Sequence, residues 1–287
     1  MSVTTLLTGD DMITAVVPAC NEAARIQKVL ASIFAAGVDR TLVIVNGDEL
    51  TSQKSLALSL PGITTVNFPE RLGIDVPRVI GAWLAAAAGT RVCLFVDGDM
   101  TGDITFCLSD LIRQVKQGAD MALTDCYPNP PCVQGLAREV LSYRAKLNRK
   151  LGLFPTLGVA TPSHGPHAVS GQLLAALPLP ELAVPPVSLA LAVEGGLRVS
   201  IGARIDHNNL GSPLKDYPHS RKIADTIIGD SLEAISLAAG KPRRRTAAGR
   251  LYLGYHPERR FDIMDAVLAN SLPRRYSLSG APLPLEK

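Results

Sequence analysis

Apolar positions along this chain follow two different periods. Short runs rich in apolar and β-branched residues at Met12–Val17, Thr41–Val45, Thr64–Phe68, Val92–Val96 and Met121–Thr124 read as strands. Between them the spacing becomes helical, over Glu22–Ala36, Ser52–Leu58, Val76–Ala88 and Ile104–Lys116. The first of these helices places Ile26, Val29, Leu30 and Ile33 on one face, with Asn21 as its expected cap. Gly37 and Gly118 stop the first and last. Strands alternating with helices at short spacing predict an α/β fold with a mostly parallel sheet covered on both faces.

After Asp125 the texture changes. A proline-rich loop is expected over Tyr127–Pro131, a basic helix over Gln134–Leu151, and a Gly-, Pro- and His-rich loop over Phe154–Ser170. A helix over Ser188–Gly195, a strand over Leu197–Ile205, and helices over Tyr217–Ala239 and Phe261–Asn270 follow, and the tail from Leu278 reads as disordered. The change divides one continuous domain into halves of 1–125 and 126–287.

Three predicted strands end in polar turns. The first ends in Val17-Pro18-Ala19-Cys20-Asn21-Glu22, the second in Val45-Asn46-Gly47-Asp48, and the fourth in Asp97-Gly98-Asp99. In open α/β sheets, ligands collect at the carboxyl ends of the strands. Pro18 fixes the chain's exit and leaves the backbone around Ala19 free to meet a planar base. Asp97 and Asp99 offer hard oxygen ligands suited to Mg²⁺ or Mn²⁺, and such a metal commonly carries a phosphate with it. Neither a G-x-G-x-x-G after the first strand nor a P-loop signature occurs, which argues against dinucleotide and P-loop enzymes.

Bulk properties narrow the choice further. Lysines and arginines exceed acids by only three over 287 residues, too few to argue for a nucleic-acid partner. The basic residues concentrate late, as Lys241, Arg243, Arg244, Arg245 and Arg250, then Arg259, Arg260, Arg274 and Arg275. They read as a solvated surface or as a patch facing phosphate on an acceptor or a membrane. Five cysteines (Cys20, Cys93, Cys107, Cys126, Cys132) without a C-x-x-C pair suit reduced thiols in a cytoplasmic protein. The polar start carries no secretory signal. The apolar stretches Val79–Ala88 and Leu173–Leu197 are too short or too interrupted by proline and glutamate to form a transmembrane segment.

The chain resembles the GT-A glycosyltransferases of the family 2 type. Pro18-Ala19-Cys20-Asn21-Glu22 is similar to their P-x-x-N-E start, Val45–Asp48 to their second nucleotide turn, and Asp97-Gly98-Asp99 to their D-x-D metal motif. Within that group the pattern is most like that of glucosyl-3-phosphoglycerate synthases and mannosylglycerate-type synthases. The resemblance implies a GT-A, Rossmann-like sheet with a C-terminal, acceptor-binding helical extension. It implies a hexosyltransferase moving sugar from a nucleotide-diphosphate sugar, a UDP-sugar first of all, to a small polar or anionic acceptor. A glycerate derivative or a lipid-linked group would be such an acceptor.

The same resemblance assigns residues. Asp97, Asp99 and His207 would hold Mg²⁺ or Mn²⁺. Pro18, Ala19, Asn21, Glu22, Asn46, Gly73, Arg78, Asp97 and Gly98 would bind the nucleotide, with Arg71 or Arg78 supplying charge to the diphosphate. Ser170, Gly171 and Gln172 would shape the acceptor site. Asp99 and Glu194 would carry the chemistry, Glu194 by orienting or deprotonating an acceptor hydroxyl. The C-terminal helices could pair two copies into a homodimer. Two other functions compete: a sugar-1-phosphate nucleotidyltransferase, and a non-catalytic nucleotide-sugar-binding protein. His164-Gly165-Pro166-His167 reads as a mobile loop near the acceptor rather than a second metal pair, His219 with Lys215 and Arg221 as a helix-start surface or a group facing an acceptor's phosphate or carboxylate, and Trp83 as core.

Overall fold

The computed structural model describes residues 12–47, 49–56, 60–128, 134–269 and 277–280. Asp48, Cys132, Arg274, Arg275 and part of the proline-rich loop lie outside them. The first half alternates as expected: β1 (Ile13–Ala19), α1 (Ile26–Ala35), β2 (Arg40–Asn46), α2 (Glu49–Leu56), β3 (Ile63–Phe68), α3 (Val76–Ala87), β4 (Val92–Phe95), α4 (Thr105–Lys116) and β5 (Met121–Asp125). Then come α5 (Gly135–Lys150), α6 (Phe154–Leu157), β6 (His167–Ser170), α7 (Gly171–Ala176), α8 (Pro185–Glu194), β7 (Val199–Arg204) and α9 (Tyr217–Leu237). A small hairpin of β8 (Thr246–Ala247) and β9 (Arg250–Leu251), then α10 (Phe261–Leu268) and β10 (Ser277–Gly280), complete the order.

The main sheet runs β10-β3-β2-β1-β4-β6-β5-β7. β3, β2, β1 and β4 are mutually parallel and β5 is parallel to β7, while β6 runs antiparallel to both β4 and β5, and β10 antiparallel to β3. The carboxyl ends of β1 to β5 and of β7 therefore share one edge. Strand β6 comes from the second half of the sequence and sits between two strands of the first, so both halves share one sheet.

Alternation along β1 feeds two cores. Val16 faces Leu42, Ile44, Phe95 and the apolar side of α3, together with α8 and α10. Its neighbours Ala15 and Val17 face Ile26, Val29, Leu30 and Ile33 of α1 and Leu108 and Leu111 of α4. Helix α3 lies so close to β1 that a methyl at Gly81 would overlap Val16. Trp83 packs, partly buried, against this first core, as expected of it.

Several sequence expectations need correction. The first helix begins at Ile26, not Glu22, because residues 22–25 form a turn in which the Arg25 and Ile26 N–H groups both donate to the Glu22 carbonyl at 2.8 Å. Asn21 is no cap: it sits in the left-handed region at φ 60°, a conformation asparagine tolerates. The Phe154–Ser170 stretch is not all loop but holds α6 and the central strand β6. The tail is not wholly unstructured from Leu278, since Ser277–Gly280 pairs with Thr64–Asn67. Among the described residues no helix is long and apolar enough to cross a membrane.

Candidate active site

The turns that follow β1, β2 and β4 meet at the carboxyl edge of the sheet. β4 pairs with β1 only as far as Phe95 opposite Val16, after which the Gly98 N–H donates to the Pro18 carbonyl at 3.1 Å. A side chain at position 98 would crowd that carbonyl and the Ala19 methyl, so glycine lets the two turns approach without displacing either. Asn46, buried at the end of β2, accepts from the Leu72 N–H at 2.6 Å and thereby pins the segment that carries Gly73. Gly73 stands at φ 80°, and a methyl on it would overlap the Glu258 carbonyl oxygen.

These turns, with α5 and α9 above them, enclose a cleft of about 620 Å³. Pro18, Ala19, Glu22, Asn46, Gly73, Arg78, Asp97, Gly98, Asp99 and His207 all line it. Asn21 and Arg71 are exposed and outside its lining. Ser170, Gly171 and Gln172 are elsewhere, in a depression at the amino edge shared with Thr90, Asp120 and Arg198. There the Ser170 hydroxyl donates to Asp120 at 2.9 Å and caps α7 by accepting from the Leu173 N–H at 3.0 Å. A methyl at Gly171 would overlap the Thr90 carbonyl. Glu194 is exposed at the end of α8, just before β7 enters the sheet beside Met121. The acceptor trio and Glu194 thus do not share an edge with Asp97 and Asp99.

Arg78 is not free for a diphosphate. Its guanidinium is clasped by Asp75 and Asp97, and although burial works against its charge, those two carboxylates hold it more firmly protonated than usual. Behind Asp75 stands Arg259, fully buried, 2.8 Å from Asp75 and 2.7 Å from Asp230. Asp230 in turn meets Arg245 at 2.7 Å, and Arg245 meets Glu233 at 2.7 Å. A buried line of alternating charge therefore links Asp97 to the C-terminal segment. Two of the arginines read as surface, Arg245 and Arg259, are its inner members. Burial raises the Asp75 carboxyl, with Arg78 and Arg259 opposing it.

Asp99 differs from Asp97 in having no arginine. Its Oδ1 accepts from the Ser212 hydroxyl at 3.1 Å. Burial first, then the charges of Asp97 and Glu22, push its carboxyl above the ordinary range, against a pull from Ser212 and Lys215. Three carboxylates facing a partly buried space with hard oxygen donors fit a divalent cation. Asp97, Asp99 and His207 do not converge within 4.8 Å of one another. Asp230, Glu233 and His256 do, but Arg245 Nη1 stands 2.7, 2.7 and 3.1 Å from them and already supplies the positive charge.

On the far side of the cleft His207 Nδ1 lies 3.0 Å from His164 Nε2, and Tyr127 stacks on both rings. A hydrogen bond between two imidazoles needs one of them neutral. Burial, with help from the Arg144 charge, lowers both, His164 well below its usual value. His167 is not part of this pair: it points into the sheet against Phe95, 4.9 Å away, and burial pushes it down to about 3. His219 joins the cleft wall, its Nδ1 2.8 Å from the Tyr255 hydroxyl. The sequence did not single out Asp75, Arg144 or Ser163, which also line the cleft. Asp75 carries one local signal, a left-handed φ of 67° ahead of α3, but nothing in its residue type announces it.

A mostly parallel α/β sheet with an acidic turn in mid-sheet and a cleft over its carboxyl edge is the GT-A class of glycosyltransferase architecture. Residues 14–168 match the sequence profile of Glycosyl transferase family 2, and the chain belongs to that family. It is a glycosyltransferase. Its fold is similar to glucosyl-3-phosphoglycerate synthase from Mycobacterium tuberculosis in complex with phosphoglyceric acid, at 20% identity and a TM-score of 0.55, covering 81% of each chain. A second structure of the M. tuberculosis synthase gives 20% identity and a TM-score of 0.53 over 81% of this chain and 82% of that one. A mycobacterial protein gives 17% and 0.55 over 81% and 76%. A comparison with curated protein sequences found no match.

Proposed function

We propose that this chain transfers a hexosyl group from a nucleotide-diphosphate sugar, UDP-linked by preference, to a small polar acceptor in a Mg²⁺- or Mn²⁺-dependent reaction. The observation that carries the reading is the convergence of the Pro18–Ala19 turn, Asn46 and Asp97-Gly98-Asp99 on one cleft. The base and ribose lie against the Pro18–Ala19 turn, Glu22 and Asn46. Asp99 holds the cation first, because Arg78 already occupies Asp97 Oδ1. Asp97 completes the site directly or through water, while His207 stands across the cleft without converging on the two aspartates. When bound, the cation supplies Lewis-acid neutralisation of the departing diphosphate.

This chain's own residues do the remaining work. Arg78 fixes the Asp97 carboxylate in one orientation. Lys215, exposed and close enough to act on Asp99, brings the positive charge that Arg78 cannot. Tyr127, stacked on His164 and His207, lines the acceptor side of the cleft. Glu194 is given no part, since it faces the other edge of the sheet.

The test is slow hydrolysis of a panel of UDP- and GDP-sugars by the purified protein with Mn²⁺ or Mg²⁺ and no acceptor. One donor should release free sugar in a metal-dependent way, and Asp99→Ala should abolish release. Metal-independent release, or release of pyrophosphate from UTP and a sugar phosphate instead, would overturn the proposal.

A further inference from the structure

Arg144 is the anomaly of this cleft. Its side chain is 3% exposed, yet among the described residues it has no ion pair and no hydrogen bond, and its Nε is buried without an acceptor. The other deeply buried arginines behave differently: Arg245 and Arg259 each meet two carboxylates. Taking a guanidinium out of water with no counter-charge is strongly unfavourable, so a fold keeps one where a ligand brings the negative charge.

A second observation points the same way. The Ser163 hydroxyl is also buried with no partner, and Ser163 lines the same cleft next to His164. The cleft thus holds a forked cation and a spare hydroxyl donor beside the His164–His207 pair. Guanidinium plus hydroxyl is the donor set that suits the planar or tetrahedral oxygens of a carboxylate or phosphate.

Sheet order says which substrate brings that anion. The turns after β1 and β2 lie on one side of β4, which carries Asp97 and Asp99. Tyr127 follows β5, Ser163 and His164 precede β6, and His207 follows β7, all on the other side. We infer that Arg144 and Ser163 form a subsite for an anionic group, phosphate or carboxylate, on the acceptor. The inference rests on the glycosyltransferase reading above and narrows its acceptor to an anionic one. It also gives α5, read from sequence only as a basic helix, an inward-facing member.

The experiment is a titration of the full-length protein holding UDP and Mn²⁺ with inorganic phosphate, with D-glycerate, and with neutral glycerol. Binding is followed by calorimetry with Mn²⁺ and, with diamagnetic Mg²⁺ in its place, by the imidazole NMR signals of His164 and His207. At least one anion should bind about tenfold or more tightly than glycerol and shift both imidazoles, and the better anion tells phosphate from carboxylate. Arg144→Met should erase that preference and Ser163→Ala weaken it, while UDP affinity stays within about twofold of wild type. Should Arg144→Met fail to fold, Arg144→Lys and Ser163→Ala carry the comparison, lysine keeping charge but losing the fork. Equal weak binding of all three probes by the wild type would overturn the inference. So would loss of UDP affinity in step with anion affinity, because the anion would then be the donor's. Failure of UDP and Mn²⁺ to bind at all would instead sink the glycosyltransferase reading.

Discussion

Replacing Arg259 by methionine cuts the buried charge line in its middle. The guanidinium is 0% exposed and donates to Asp230 at 2.7 and 2.9 Å and to Asp75 at 2.8 Å. Removing one partner from a buried pair costs about 3–5 kcal/mol, because the remaining charge is left without compensation. Here Asp75 keeps Arg78 and Asp230 keeps Arg245, so the loss should fall near the lower bound, about 3 kcal/mol. For a chain of this size that lowers Tm by roughly 6–12 °C.

The same substitution should change the response to pH. Burial already raises the folded-state Asp75 carboxyl above its unfolded value, and Arg259 is one of two groups holding it down. Without Arg259 the folded value climbs further. A carboxyl raised in the folded state favours folding when protonated, so the deficit of Arg259→Met is largest above that raised value and shrinks as pH falls through it. Urea unfolding followed by circular dichroism from neutral to acid pH measures both effects. A loss below about 1 kcal/mol, or a gap that widens in acid, would refute the buried-pair reasoning.

Gly73→Ala combines an unfavourable positive φ with overlap on the Glu258 carbonyl, so it should expel the C-terminal segment. Faster proteolytic cleavage near residue 258 and a lower Tm are the expected readouts. Glu194→Gln should leave donor hydrolysis within about twofold of wild type, because the residue is exposed at the edge opposite Asp99. A much larger fall in kcat would restore Glu194 to the site.

The strand-end turns were readable because each is local: an apolar run, a proline or glycine, then the polar group, all within a few residues. Ser170, Gly171 and Gln172 show where such reading stops. Their residue types fit, but they follow β6, whose direction depends on pairing with β4 and β5 far along the chain. An antiparallel strand delivers its carboxyl end to the wrong edge. Glu194 errs similarly, since a helix that returns the chain to the start of a parallel strand ends at the amino edge. The arginines illustrate a different gap. Charge type says nothing of burial, and Arg259 finds its carboxylates 184 and 29 residues away. Arg144 is one of several basic residues in α5, and composition alone does not tell which of them turns inward.

On the proposed function, Asp99 would hold a divalent cation for a nucleotide diphosphate. Calorimetric titration of UDP with and without Mn²⁺, on the wild type and on Asp99→Asn, tests it most directly. The account predicts that Mn²⁺ tightens wild-type UDP binding by about tenfold or more and that Asp99→Asn removes this gain while still folding. Identical UDP affinity with and without Mn²⁺, or an Asp99→Asn variant that keeps the full metal effect, would contradict it.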